Sequence, residues 1–543
     1  MAPDYRRNVL GMETASRGGQ AAVGTCVLLA VLLASGLWLR AWGLNYGLPL
    51  PSARPDEEVL ISKLLGFDAG DPNPHWFIYP SLSLYLAYAW VKAILLLTCV
   101  LGLGPGTADL ATVFRQDPSA LYLAARSLSA ALGTATIWVV YAVGRAGSGR
   151  AAGLVAALLT AFSFLHVRES HFFKPDAMLS FFTTLALLGC LRLQQRGTRG
   201  AAVAAGLACG LAIAVKYGVL LLVPLGLAVL LGPPAGAGRP ARATRGAIAL
   251  AAMGAGFALT SPFAVLAPQE LIAALKVVRM WVAYAGDGLG GGFRHHLLYS
   301  FFAAQGLPLT VAVIGALAWS LMQRPLLPVA GFVAVSFLQL GLSAAAYSRY
   351  LTPVLPAAYA LVGAGVVRGL ASVPARMRPV VATLLLATLA VRPLHSAIRF
   401  DQIVAVPDTR LLAAAWMEAR VPRGTPVLIV GSRWPYVFGE PPLDAFRLRR
   451  NLPLDPRFGV RWVVTHEHPI PFSTVPPEFE ALRPSLHLVA TISPFAGDTV
   501  PPGALFEHRD AFYVPIAGFT DVVRGGPLIR IYSLSAEDED GAT

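Results

Sequence analysis

Charge is what this sequence lacks most. Only 13% of its 543 residues are Asp, Glu, Lys or Arg, 55% are hydrophobic, and the mean hydropathy is +0.60. That excludes water as the chain's main solvent and leaves a polytopic membrane protein. Cysteine is scarce too: Cys26, Cys99, Cys190 and Cys209 all fall in apolar stretches without CxxC spacing. Neither a disulfide framework nor a zinc site is expected. The net charge of +13 comes without any basic run interleaved with aromatics, so it does not indicate nucleic acid. Most arginines instead stand in short gaps between apolar runs, where they fix orientation. No repeat of fixed period occurs.

A crossing helix needs about 20 mostly apolar residues. Candidate spans lie at 21–42, 121–143, 151–166, 177–194, 201–215, 218–232, 247–266, 298–321, 326–346, 351–367 and 379–395, about eleven in all and several of them short. The first lacks a convincing cleavage site and reads as an uncleaved span behind a cytoplasmic N-terminus, 1–20. A further apolar stretch at 80–101 would, if it crossed, put Arg6, Arg7 and Arg17 on the opposite side from every later arginine cluster. It is therefore expected to be a juxtamembrane or hairpin element within a first outer loop, 43–120, interrupted by Lys92. The same parity places 167–176, 216–217, 267–297, 347–350 and everything beyond about 396 outside.

Residues 21–395 thus form a membrane module, and 396–543 a small extracytoplasmic α/β domain. In the latter, "PVLIVG", "RWVVTH", "LHLVATI" and "LIRIYSL" have strand length, and "DTRLLAAAWMEAR" is an amphipathic helix. The acidic tail "SAEDEDGAT" is expected to be frayed.

The few charges on the outer side carry the chemistry. "RPDEE" sets Asp56, Glu57 and Glu58 before an amphipathic stretch; Glu58 is assigned to solvent, and Asp56 and Glu57 to catalysis. Held against apolar groups at lipid level, Asp56 is expected to have a raised pKa suited to accepting a hydroxyl proton. "HVRESHFFKPDAML" packs six charged or titratable groups between two apolar runs, and His171, Lys174 and Asp176 are placed in the site. Lys216, followed by Tyr217, stands at an outer turn, where snorkelling is the alternative. Arg349, beside Tyr347 and Tyr350, is an outer-face arginine that suits a phosphate. Arg126 enters a span from outside and either serves similarly or pairs with an acid.

Together, "RPDEE", "HWFIYPSLSLYL", "RSLSAALGTATIWVVYAVGR", "RESHFFKPDAMLSFFTTLALL", "AIAVKYG" and "SRYLTPVLP" resemble bacterial membrane glycosyltransferases of the GT-C superfamily. The protein O-mannosyltransferases and their aminoarabinose-transferase relatives are most alike. The stretch from Asp510, "DAFYVPIAGFTDVVRGGPLIRIYSL", also looks like the tail of bacterial members. The resemblance implies a hexosyl- or pentosyltransferase of the bacterial inner membrane. It implies inverting transfer from a polyprenyl-phosphate sugar to a protein, lipid or glycan hydroxyl, with the first-loop aspartate, Asp56, as base. Some relatives carry a lysine where this chain has Tyr79, which leaves Lys216 or Lys174 as phosphate partner. The sequence assigns no cofactor and leaves a divalent metal open.

"GDGLGGG" at 286–292 lacks the strand that a dinucleotide site needs. His466 and His468 in "THEHP" read as a surface strand end rather than a metal pair, and Trp416 as packing. A transporter or flippase of lipid-linked sugars is the rival class, and it predicts broken spans and a pseudo-symmetric repeat.

Overall fold

The computed structural model describes residues 3–104, 107–233, 239–284, 291–432, 437–450 and 459–534; the acidic tail and residues 286–290 of the glycine-rich stretch lie outside them. The chain opens with α1 (Pro3–Ala41). The first loop then folds into α2 (Glu57–Asp68), α3 (Leu82–Val100) and α4 (Leu110–Gln116). A helical bundle follows: α5 (Pro118–Ser148), α6 (Arg150–Phe162), α7 (Phe164–Ser170), α8 (Pro175–Arg196), α9 (Arg199–Ile213), α10 (Leu222–Leu231), α11 (Arg239–Thr260), α12 (Pro262–Leu266) and α13 (Pro268–Tyr284). It continues through α14 (Gly291–His295), α15 (Leu307–Ser320), α16 (Leu327–Leu342), α17 (Leu355–Ala371) and α18 (Arg378–Val404). Among the described residues, seven helices are long and apolar enough to cross a membrane, and α6 with α7 make an eighth if counted as one bent span.

Small residues let these helices approach closely where lipid supplies no hydrophobic drive. α5 packs on α6, α8 and α17, and α9 on α11. A Cβ on Gly206 would sit 2.1 Å from the Ala249 carbonyl oxygen.

Three expected spans are broken. α6 and α7 meet at 59° because Ser163 leaves the helical region, so the HVRES residues lie on a short helix buried at the end of the bundle. Pro262 restarts the chain as α12, and Gly306 (φ +87°) followed by Pro308 separates a π-helical segment, His296–Ala303, from α15. α3, by contrast, is one unbroken helix and not a hairpin. Its first amide donates to the Ala214 carbonyl, and halfway along it Lys92 reaches both Asp68 (2.7 Å) and the Ala108 carbonyl. These contacts tie α3 to the chain after α9 and to the rest of the first loop, and α3 is itself one of the seven helices of crossing length.

The boundary expected at 395 falls inside α18, which runs through Pro393 to Val404. Beyond it, Asp408 caps α19 (Thr409–Arg420) by accepting from the Arg410 amide. Strands β1 (Pro426–Val430), β2 (Arg447–Arg449), β3 (Trp462–Glu467), β4 (His487–Ile492) and β5 (Leu528–Ser533) form one sheet in the order β2-β1-β3-β5-β4, and α20 (Pro477–Leu482) lies between β3 and β4. β1 runs parallel to β2 and β3, whereas β5 runs antiparallel to β3 and β4. Trp416 packs on Trp462, 6.0 Å between rings.

His466 in β3 and His468 just after it are not at a surface. His466 is fully buried between Ser473 Oγ (2.8 Å) and Ser432 Oγ (3.1 Å), and His468 lies against Phe506 and Tyr513. Burial pushes both imidazoles down to about 3, so they pack as neutral rings.

The sheet has its own apolar layers, but the long β4–β5 connection does not belong to them. Phe495, Phe506, Phe512, Tyr513, Ile516 and Phe519 join the core of the helical bundle. A connection of that length without regular structure is usually functional, and it carries Glu507 and Asp510 into the site.

Candidate functional site

Asp56 occupies the N-cap of α2 in the left-handed region (φ 80°, ψ −21°), which few residues other than glycine adopt. Its neighbour holds it there. The buried Glu57 carboxylate accepts from Arg126 Nε (3.0 Å) and Nη2 (2.6 Å) and from the Phe173 amide (2.7 Å). Arg126 also donates to the carbonyls of Leu44 and Tyr46. The pair spends its hydrogen bonds on tying the first loop to α5 and to the chain before α8. Glu57 is thus not placed for catalysis, nor Arg126 for phosphate, and the pairing alternative for Arg126 is the one realised.

The Asp56 side chain remains 47% exposed, with Oδ2 2.9 Å from Nζ of the buried Lys174. The Lys174 ammonium holds its carboxyl down at about 2; burial opposes this, and Arg349 and Arg54 add to it. The raised value expected from the sequence is overturned, because the carboxylate faces cations rather than lipid-level apolar groups. For Lys174, burial and the neighbouring Arg349 and Arg54 outweigh Asp56 and lower its pKa.

Two further expected residues form the next pair. Lys216 Nζ lies 3.1 Å from Asp176 Oδ1, above the rings of Tyr350 (4.4 Å) and Tyr79 (5.5 Å). Burial alone would lower the lysine; Asp176 reverses this and raises it. Asp176, Lys216, Tyr217 and Tyr350 stand at the polar end of a cavity of about 530 Å³. Its remaining wall is mostly apolar and comes from α8, the end of α9, the chain around α10, α16 and the residues leading into α17, including Leu179, Leu221, Phe332 and Val354.

Arg349 lies over Tyr347 (4.3 Å) and joins a buried ion cluster. Asp510 Oδ1 receives Arg54 (2.7 Å) and Arg349 (3.1 Å), and its Oδ2 receives Arg168 (3.0 Å). Arg168 also reaches Glu507 (3.3 Å) and Glu169 (3.3 Å), and Glu507 accepts from the Ser348 amide (2.6 Å). Burial would push the Asp510 carboxyl up, but the cations around it, Arg54 foremost, hold it well below the usual range.

His171 is not part of this cluster. Its ring is buried between the carbonyls of Val167 and Trp42, both at 2.9 Å, with Asp401 at 3.3 Å. The structure therefore gathers Asp56, Lys174, Asp176, Lys216, Tyr217, Arg349 and Tyr350, and leaves out Glu57, Arg126 and His171. Sequence reasoning passed over Arg168 and Glu169 of the charged stretch and missed Arg54, Glu507 and Asp510. A usable signal existed for one of them: Asp510 opens the tail stretch that resembles bacterial relatives. Among the described residues, no group of three or more His, Cys, Asp or Glu is placed to hold a metal ion.

Among solved structures, ArnT from Cupriavidus metallidurans bound to undecaprenyl phosphate is similar over 95% of this chain and 99% of its own, at 16% identity and a TM-score of 0.51. The fold is that of the GT-C glycosyltransferases. The apo form of the same ArnT matches over the same shares, at 17% identity and a TM-score of 0.50. Within the GT-C fold, residues 119–266 match the family model for dolichyl-phosphate-mannose-protein mannosyltransferase, a stretch that runs from α5 into α12 and includes Lys174, Asp176 and Lys216. The lipid A galacturonosyltransferase RgtD of Rhizobium johnstonii is 46% identical over 67 residues, 12% of this chain and 14% of its own. The aligned stretch thus spans about a seventh of that curated relative's length.

Proposed function

We propose that this protein transfers a monosaccharide from a polyprenyl-phosphate donor to an acceptor hydroxyl, with inversion, at the extracytoplasmic face of a bacterial inner membrane. The observation that carries this is a single cavity, apolar along most of its wall and ionic at one end. An isoprenoid chain fits the first part, and a phosphate fits the end, where Lys216 meets the field of Arg349. The undecaprenyl phosphate bound to ArnT supports the same assignment.

The acceptor oxygen attacks the anomeric carbon as that carbon's bond to the phosphate oxygen breaks. The electron pair leaves on the polyprenyl phosphate, and the hydroxyl proton passes to Asp56. A carboxylate held at about 2 is a weak base toward a resting alcohol. The alcohol oxygen, however, grows acidic as its new bond forms, so an ionised, half-exposed carboxylate takes the proton late. Lys216 and Arg349 stabilise the charge that grows on the leaving phosphate.

The test incubates the purified chain with a panel of radiolabelled polyprenyl-phosphate sugars and follows label leaving the lipid. At least one donor is expected to lose its label to an added acceptor fraction; no release from any donor would contradict the reading. Leu179→Trp, which places an indole in the cavity wall, is expected to raise the donor KM by ~10-fold while kcat changes little, as for lost uniform binding. Lys216→Gln is expected to lower kcat by ~10²-fold or more, the scale of one lost transition-state contact.

A further inference from the structure

Asp510 comes from the connection between β4 and β5, yet its carboxylate is only 4% exposed and meets three guanidinium groups from three different parts of the bundle. Arg54 and Arg349 share its Oδ1, so each weakens the other's hold on it. Arg54, Arg168, Arg349 and Lys174 are balanced by Asp56, Glu169, Glu507 and Asp510, four cations against four anions, with the His295 ring 3.5 Å from Glu507 beside them. Without Asp510 the cluster would hold one unbalanced positive charge in a site that excludes most water. Arg349 would lose its only carboxylate partner among the described residues.

We infer that Asp510 is a positioning residue: it aims the Arg349 guanidinium at the donor's phosphate and, by keeping the cluster neutral, lets the phosphate product leave. This rests on the proposed function. It makes the C-terminal segment part of the working site rather than a cover. Asp510 then acts as a resident anion that a phosphate partly displaces, because a phosphate offers a guanidinium more oxygens than a shared carboxylate oxygen does.

The test measures undecaprenyl phosphate binding to the full chain in detergent alongside donor turnover, for wild type, Asp510→Asn, Arg349→Gln and the double variant. Asp510→Asn is expected to bind undecaprenyl phosphate ~10-fold more tightly while kcat falls ~10-fold or more, since an unbalanced buried cation favours an anionic ligand. In the Arg349→Gln background the gain in affinity is expected to vanish. A merely structural role would weaken binding and turnover together, and would overturn the inference. So would an affinity gain that persists without Arg349.

If Asp510→Asn does not fold, Asp510→Glu keeps the charge but moves it by one methylene. It is then expected to leave affinity within about twofold of wild type and still lower turnover ~10-fold, as for a misplaced transition-state contact. Unchanged turnover there would overturn the inference. A wild-type chain that does not bind undecaprenyl phosphate at all would sink the functional reading, and this inference with it.

Discussion

Asp56→Asn is expected to lower kcat by ~10³-fold or more while the donor KM moves little, because the amide keeps the shape of the side chain but cannot take the proton. The donor should still bind, since Lys216 and the apolar cavity are untouched. Label release, with folding checked by size exclusion, provides the measurement; equal release by both proteins would remove Asp56 from the chemistry.

The pH dependence sharpens this. Lys174 holds the carboxyl at about 2, below its ordinary value, so Asp56 stays ionised as pH falls and takes up a proton only near pH 2. The stabilisation from the Asp56–Lys174 contact follows the same sign: it is present above the ordinary aspartate value and lost as pH approaches 2. An acid limb in kcat/KM at pH 5 or 6 therefore belongs to some other group. Lys174→Met is expected to bring the limb that belongs to Asp56 up from about pH 2 toward the ordinary aspartate range; a limb that stays near 2 would show that another group keeps Asp56 charged.

The second large effect falls on the fold rather than on the chemistry. Glu57→Gln leaves Arg126 buried beside a neutral amide and weakens the hold on the Phe173 amide, so a loss of ~3–5 kcal/mol is expected, as for other broken buried pairs. Thermal unfolding in detergent should show it as a large drop in Tm, and the molecules that remain folded should transfer at near the wild-type rate. Because Arg126 is the group left uncompensated, Glu57→Gln combined with Arg126→Met should recover part of the loss. A variant with wild-type Tm and no activity would return Glu57 to the chemistry.

Adjacent residues with the same side-chain charge thus take opposite roles, and the sequence does not separate them. "DEE" shows three acids in a row, but only the backbone decides their directions. The left-handed turn at Asp56 sends one carboxylate toward Lys174, while the first turn of α2 buries the next against Arg126.

The membrane class, four of the five strands and helix α19 could be read directly, because hydropathy and strand or helix period are local properties. β2 was invisible for the same reason: Arg447–Arg449 is a three-residue polar edge with no pattern to detect. Lys174, Asp176, Lys216 and Arg349 were legible because outer-side charge at a membrane boundary needs a reason. Asp510 was marked only by the resemblance of the tail it opens, since acids are ordinary in a polar domain and only the tertiary fold carries it to Arg54, Arg168 and Arg349. His171 misled for the converse reason. Its position in a charged stretch is real, but α7 turns it inward onto the carbonyls of Val167 and Trp42.

A structure of the purified chain with bound undecaprenyl phosphate puts the central claim at most direct risk. The phosphate oxygens should lie within hydrogen-bond reach of Lys216 Nζ and the Arg349 guanidinium, on the side that Asp56 faces, with the first isoprene units along Leu179, Phe332 and Val354. A phosphate found elsewhere, with the Lys216–Asp176 pair intact and the cavity empty, would contradict it.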